Sequence, residues 1–362
     1  MGSVWGNAIK LSIFGESHGG GIGCVLDGFP AGVPYDEAFI LAEMARRAPG
    51  KNRQSTARRE KDLPKVLSGV FEGKTSGAPI SCVIENTDTR SKDYRNLIEQ
   101  PRPGHADYTG RVRYQGCNDY RGGGHFSGRL TAPLVFAGAM CKLFLRSKGI
   151  EVGSHISAIG QIMDTPFDDV HVPTELLAKL RTQAYPVINP RAEEAMLVQI
   201  DQAREAQDSV GGIIECAVTG VPVGIGSPML SPAEGRLSSI LFSVPAVKGV
   251  EFGAGFEAAR MRGSEHNDPI ISPDGTTATN NAGGITGGIT NGNPVVARVV
   301  VKPTSSISSP QITLNTETGK PEELKIKGRH DACIALRAPV VVEAAMAIAL
   351  CDLTLIAKSQ RP

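Results

Sequence analysis

Two blocks of this 362-residue chain occur twice. Gly28-Phe29-Pro30-Ala31-Gly32-Val33 returns as Gly220-Val221-Pro222-Val223-Gly224-Ile225, and in both places a capped helix is expected next. Further on, Gly69-Val70-x-x-Gly73-x-Thr75-x-Gly77-x-Pro79-Ile80 returns as Gly284-Ile285-x-x-Gly288-x-Thr290-x-Gly292-x-Pro294-Val295. The order is the same each time, with a longer insertion between the blocks of the second copy. A spaced pattern used twice means one supersecondary unit used twice, and this limits the fold more than any single motif. We therefore expect two pseudo-equivalent halves, roughly residues 23–87 and 215–302, packed as one unit around a shared site. No low-complexity linker separates them, so residues 1–362 read as a single large domain.

The local patterns predict both helices and strands. Asp36 to Ala48 begins on an N-cap residue and stops before Pro49-Gly50. Ser231-Pro232-Ala233-Glu234 has the form of a capping box with proline at the first helical position, opening a helix towards Phe242. Pro133–Lys148 and Pro339–Ala357 are apolar nearly all round and predict buried helices, whereas Arg191–Asp208 predicts a surface helix. Strands are expected at Lys10–Phe14, Gly23–Leu26, Ile80–Ile84, Ile213–Val218 and Val295–Val301, each bounded by glycine or proline. Strands and helices do not alternate as βαβ units would, so the class is α+β.

Several function classes are disfavoured. Lys+Arg 38 against Asp+Glu 37 leaves a formal net charge of +1, which argues against wholesale nucleic-acid or membrane binding. The most apolar stretch carries Glu343 and Asp352, which would be costly in a bilayer. Seven scattered cysteines with no CxxC pair make a poor disulfide framework and a poor zinc site, and they suggest a reducing, cytoplasmic compartment. No signal peptide is expected at the N-terminus. Gly69–Thr75 is one residue short of a P-loop, no Rossmann fingerprint follows a strand, and no HExxH spacing occurs, so no metal is expected.

Four segments carry chemistry. Gly15-Glu16-Ser17-His18-Gly19-Gly20-Gly21 feeds an acid, a hydroxyl and an imidazole into glycines, where backbone approaches a ligand closely. His18 reads either as a functional group or as a hydrogen-bonder that stabilises its loop. The run Arg46, Arg47, Lys51, Arg53, Arg58, Arg59, Lys61, interrupted by Glu60 and Asp62, is either a solvated face or an anion site. Arg102-Pro103-Gly104-His105-Ala106-Asp107 and Arg121-Gly122-Gly123-Gly124-His125-Phe126-Ser127-Gly128-Arg129 set histidines and arginines on glycine-rich loops suited to phosphate oxygens. Lys302-Pro303-Thr304-Ser305-Ser306 offers a phosphate cradle, and Gly328-Arg329-His330-Asp331 a carboxylate kept ionised by arginine and able to act as a base. Together they point to a polyanionic small molecule.

The motifs GESHG, RPGHAD, RGGGHFSGR, AVKGVEFGAGF, NAGGITGG, KPTSS and KGRHDACIALRA, in this order along nearly the whole chain, resemble the chorismate synthase family. The resemblance implies a β-α-β sandwich and a homotetramer. It implies a lyase of the shikimate pathway that converts 5-enolpyruvylshikimate 3-phosphate to chorismate and phosphate by 1,4-anti elimination, with reduced FMN. By the same resemblance His18 protonates the departing phosphate, His105 keeps the reduced flavin in its working protonation state, and Asp331 assists removal of the C6 proton. Arg47, Arg53 and Arg129 hold the substrate's anionic groups. Flavin contacts fall on His125, Phe126, Ser127, Pro245, Ala246, Gly287, Lys302, Pro303, Thr304, Ser305, Ser306 and Arg329. The chain departs from the commoner pattern RSSAR at His125-Phe126-Ser127-Gly128-Arg129, and from Asn-Ala at Pro245-Ala246. A flavin oxidoreductase using NAD(P)H, and an anion- or RNA-binding protein, are the rival readings, and the source of reduced FMN stays open between a separate flavin reductase and an NADPH-dependent activity of the chain itself.

Overall fold

The structure, a computed structural model, describes residues 2–49, 60, 62–87, 97–326 and 331–360. The first half builds an antiparallel sheet from β1 (Val4–Trp5), β2 (Lys10–Gly15), β3 (Gly21–Asp27), β4 (Lys65–Ser68) and β7 (Ile80–Glu85), in the order β1-β2-β3-β7-β4. The second builds its own from β8 (Glu151–Ile159), β9 (Ile162–Met163), β10 (Gly212–Thr219), β11 (Val247–Phe252) and β14 (Val295–Val301), in the order β9-β8-β10-β14-β11. The repeated blocks take equivalent places. β3 and β10 lead into the first block, β7 and β14 leave the second, and the second block itself forms the hairpins β5 (Val70–Phe71)–β6 (Lys74–Thr75) and β12 (Ile285–Thr286)–β13 (Ile289–Thr290).

One threonine per half locks the blocks together. The Thr75 hydroxyl donates to Pro30 O at 2.6 Å and accepts from the Val33 N–H at 2.9 Å. Thr290 does the same with Pro222 O at 2.7 Å and the Ile225 N–H at 3.0 Å. The hairpins turn through Gly73 and Gly288 at φ 71° and 82°, a left-handed conformation that side chains resist.

The helices form the middle layer. α3 (Thr131–Arg146) packs on β2, β3 and β7, α8 (Ala338–Gln360) packs on β8 and β10, and the two pack on each other. α1 (Glu37–Arg47) flanks α3, and α6 (Ala233–Leu241) flanks α8. This is a β-α-β sandwich of the α+β class, and one hydrophobic cluster running from Ile9 to Leu353 draws on both sheets. The windows Gly128–Arg146 and Ile334–Gln360 are apolar enough to cross a membrane, but 89% and 78% of them are buried inside the molecule. α3 and α8 cross where a β-carbon added to Gly138 would stand 2.3 Å from Ala344 Cβ, so only glycine permits that approach.

Asp36 caps α1 by accepting from the Phe39 N–H at 2.9 Å, as the sequence pattern predicts. The expected capping box at α6 does not form: the helix opens at Ala233 behind Pro232, with no side-chain cap. The Ala233 N–H goes instead to Gly288 O at 2.9 Å, so the second hairpin supplies the cap. The expected surface helix is α5 (Pro190–Glu205), capped by Asn189; with α4 (Thr174–Thr182) it covers the outer side of β8 and β9. α2 (Asp107–Arg113), α7 (Gly263–His266) and the hairpin β15 (Gln311–Leu314)–β16 (Pro321–Leu324) complete the described elements.

The charges inside the helical layer are paired. Lys142 of α3 bridges Glu43 of α1 and Glu343 of α8, Arg46 reaches Glu343 through both terminal nitrogens at 2.7 Å, and Ser154 adds a hydrogen bond at 2.8 Å. Arg46 is therefore part of a core tetrad rather than of the basic run's anion site. Asp352 accepts the N–H groups of Asn7, Ala8 and Ile9 at 2.7–3.0 Å and pairs with Arg236 at 2.8 Å. A second row, buried at His155, Asp164 and Glu215 and half-buried beyond them, crosses the outer face of the second sheet. His155 lies 2.8 Å from both Asp164 and Glu215, Arg298 stands opposite Glu215 in the register, and Glu251 pairs with Arg298 at 2.7 Å.

Candidate active site

A cavity of about 920 Å³ opens where α3 and α8 begin; its wall includes Arg129, Leu130 and Thr131 from one helix start and Ile334, Arg337 and Ala338 from the other. The positive ends of two helix dipoles thus meet at one place, a setting for anions. Arg47, Arg102, Arg129, Arg337, Lys248 and Lys302 line it, against the carboxylates of Glu60 and Asp331.

His18 and His105 are both in this wall. A β-carbon on Gly122 would lie 2.1 Å from His18 Nδ1 and 2.9 Å from Ser17 Oγ, and one on Gly123 would lie 3.1 Å from His105 Cε1. Both glycines have positive φ, 60° and 83°. The glycine run after Arg121 is thus the seat of both imidazoles, which side chains there would displace.

Arg47 and Arg129, both 4% exposed, converge on the buried carboxylate of Asp62. Arg47 reaches it at 2.6 Å, Arg129 also meets Glu60 at 3.2 Å, and Arg47 Nη2 donates to Gly128 O at 3.0 Å. Burial, helped by the neighbouring Arg337 and Arg129 cations, pushes Arg47 down to about 10 against the pull of Asp62. Asp331 pairs with Arg337 at the start of α8.

The loop of residues 302–306 faces the loop that carries His105. Lys302 and Ser305 both donate to Gly104 O, and Ser306 accepts from Arg102 Nη1 at 2.9 Å. Burial and the nearby Lys248 lower the Lys302 pKa. The expected cradle is thus partly spent on tying two loops together. Thr304 Oγ1 is buried without a hydrogen-bond partner among the described residues and lines the cavity with Pro303. His125, Phe126, Ser127, Pro245 and Ala246 are in the wall as well. His125 Nδ1 donates to Gly15 O at 2.8 Å, Phe126 packs over Gly110, and Ser127 accepts from the Arg129 N–H at 3.2 Å.

Gly287 lies elsewhere, at the exposed tip of the β12–β13 hairpin and outside the cavity wall. Arg53 and Arg329 lie outside the described residues. Three pairings are not legible in the sequence, even where the residues stand in the motifs: Arg337 with Asp331, Asp62 with two arginines, and Arg102 with Asp107 at 2.7 Å. For Asp62 a signal exists, since it and Glu60 are the acids that interrupt the basic run.

Histidines, a paired carboxylate and converging arginines meet at two helix starts, a lining suited to anionic groups. A family model described as chorismate synthase matches residues 9–355. The chain is 47% identical over 352 residues to a chorismate synthase of Chitinophaga pinensis, covering 97% of this chain and 96% of that protein. It is 45% identical over 357 residues to one of Korarchaeum cryptofilum, covering 97% of both. A solved structure described as the crystal structure of chorismate synthase superposes with a TM-score of 0.74 at 31% identity, covering 97% of this chain and 93% of that one. The chain belongs to the chorismate synthase family.

Proposed function

We propose that this protein is a lyase that eliminates phosphate from 5-enolpyruvylshikimate 3-phosphate in a 1,4-anti sense, giving chorismate, and that it needs reduced FMN. The observation that carries the reading is one cavity holding His18, His105 and Asp331 among six cationic side chains and two helix starts. A substrate with two carboxylates and a phosphate needs such a wall, and excluding water strengthens each pairing.

The residues present fit a flavin mononucleotide. The cavity volume lies at the upper end of small-molecule sites, roughly 300–1,000 Å³. Phe126, Val244, Val247, Ile334 and Val341 give an apolar wall for a flat ring, Lys248 and Lys302 suit its phosphate, and Thr304 Oγ1 is a buried polar atom with no hydrogen-bond partner among the described residues. When bound, reduced FMN supplies electron density that eases C–O cleavage and is returned when the proton leaves.

The chain's own groups do the rest. Arg47 and Arg129 meet the substrate's anionic groups, with Asp62 holding both guanidiniums in place. His18, seated on Gly122, gives its proton to a phosphate oxygen as that group departs, which relieves the growing charge. An Asp331 carboxylate oxygen receives the C6 proton, and Arg337, paired with that carboxylate at the start of α8, holds it in place. His105 holds the protonation state that the reduced cofactor needs. We further read the chain as one cytoplasmic domain that assembles as a homotetramer and draws its reduced FMN from a separate reductase.

The test is anaerobic phosphate release from 5-enolpyruvylshikimate 3-phosphate, first with chemically reduced FMN and then with oxidised FMN and NADPH. Release in the first condition alone is expected. Release in both would replace the separate reductase by an activity of this chain, and release in neither, from folded protein, would overturn the lyase reading.

A further inference from the structure

Asp107 is the first residue of α2, and its carboxylate is filled with donors. Oδ2 accepts the Arg102 backbone N–H at 3.0 Å and Nε at 2.7 Å. Oδ1 accepts Arg102 Nη2 at 2.8 Å and lies 2.6 Å from His105 Nδ1. Against the upward push of burial, the hydrogen bonds from Arg102 and His105 hold Asp107 well below the usual carboxylate range. An ionised carboxylate can only accept, so the atom facing it, His105 Nδ1, carries a proton.

That leaves Nε2. It lies beside the glycine run, where a β-carbon on Gly123 would stand 3.2 Å away. Arg102 Nη2 lies 3.0 Å from Nδ1 and 3.2 Å from Nε2; a guanidinium only donates, so beside an Nδ1 that carries its own hydrogen it has the Nε2 lone pair to face. Arg102 is fixed in turn, because its Nη1 donates to Ser306 Oγ at 2.9 Å. The chain of contacts runs from the loop of residues 302–306 through Arg102 and Asp107 to one nitrogen of His105.

We propose that Asp107 is a positioning residue: its carboxylate fixes His105 in the Nδ1–H form and leaves Nε2 as the atom that exchanges a proton with the cavity. The proposal rests on His105 acting in the reaction proposed above. Orientation by a carboxylate is a common way of setting which imidazole nitrogen works.

The first readout needs no cofactor. Nitrogen-15 NMR of the full chain at pH 8, with the His105 signals identified from a His105→Ala variant, should show the Nδ1–H form, and Asp107→Asn should shift it towards Nε2–H. The second is turnover with reduced FMN. Asp107→Asn should lower kcat at least about tenfold, as a lost general acid–base alignment does, with KM within about twofold. Asp107→Glu should restore part of the rate. An Nε2–H ring in the wild-type protein would overturn the proposal, as would full kcat in Asp107→Asn beside a lost rate in His105→Ala. Full turnover in His105→Ala would instead sink the catalytic reading of His105, while the NMR result still decides what Asp107 does to the ring.

Discussion

The imidazoles of His18 and His105 rest against consecutive glycines, Gly122 and Gly123, so the backbone of one short loop sets the distance between them. The histidines come from different loops, and each needs the glycine beside it to stay free of a side chain. Gly122→Ala would push His18 aside at a backbone φ of 60° that alanine resists. Displacement of about 1 Å can cost on the order of 100-fold, and a kcat loss of that size is expected with little change in melting temperature. Wild-type kcat in Gly122→Ala would show that His18 is not positioned by this contact.

The crossing of α3 and α8 should tolerate no enlargement. In Gly138→Val the new side chain meets Ala344 and forces the helices apart, and overpacking of this kind costs about 1–3 kcal/mol. Thermal unfolding followed by circular dichroism should show a clearly lower midpoint. An unchanged midpoint would mean that the helical layer can slide to make room.

The tetrad of Glu43, Arg46, Lys142 and Glu343 is buried, so breaking it should hurt more than replacing it. Lys142→Met takes the shared ammonium from between Glu43 and Glu343 and leaves them to Arg46 and the more distant Arg181, and a broken buried pair costs about 3–5 kcal/mol. Adding Glu43→Gln to Lys142→Met removes the stranded charge and should recover a measurable part of the loss in urea unfolding. Equal stability of the single and double variants would argue against coupling between these groups.

The row through His155 predicts a pH window for stability. Burial works against the charged ring, but hydrogen bonds and charge from Asp164 and Glu215 raise the folded pKa of His155. Its contribution is therefore complete below the unfolded value of about 6.5 and fades as the pH climbs through the higher folded value. Asp164 and Glu215 are lowered despite burial, through their bonds from His155 and backbone N–H groups, so their share is lost only as the pH falls below about 4. The midpoint difference between wild type and His155→Gln should be greatest from about pH 5 to 6.5 and smaller at high pH. A difference that grew with rising pH would contradict the charged ring.

Much of the frame is legible in the sequence because it rests on local chemistry. Asp36 before an apolar stripe caps α1, and the spaced glycines of the two blocks force the same turns in both halves. What escapes is set by partners distant in the chain. Ser231 does not cap α6 because the helix opens one residue later, with Pro232 at the N-cap, and the Gly288 carbonyl of the hairpin accepts from the Ala233 N–H. His155 has no motif, since its partners come from the neighbouring strand and from the segment after β9. In the site, the histidines and arginines are readable as residue types in glycine-rich loops, but which carboxylate each one meets is fixed only by the packing of the layers.

The starts of α3 and α8 form the wall of the cavity, and the same two helices join the two sheets. Seam and workplace therefore coincide. Each half carries its own sheet and its own threonine lock, yet neither half encloses the site alone. Heat that parts the helices opens the cavity in the same event, so loss of turnover on warming should track the separation of the halves rather than precede it.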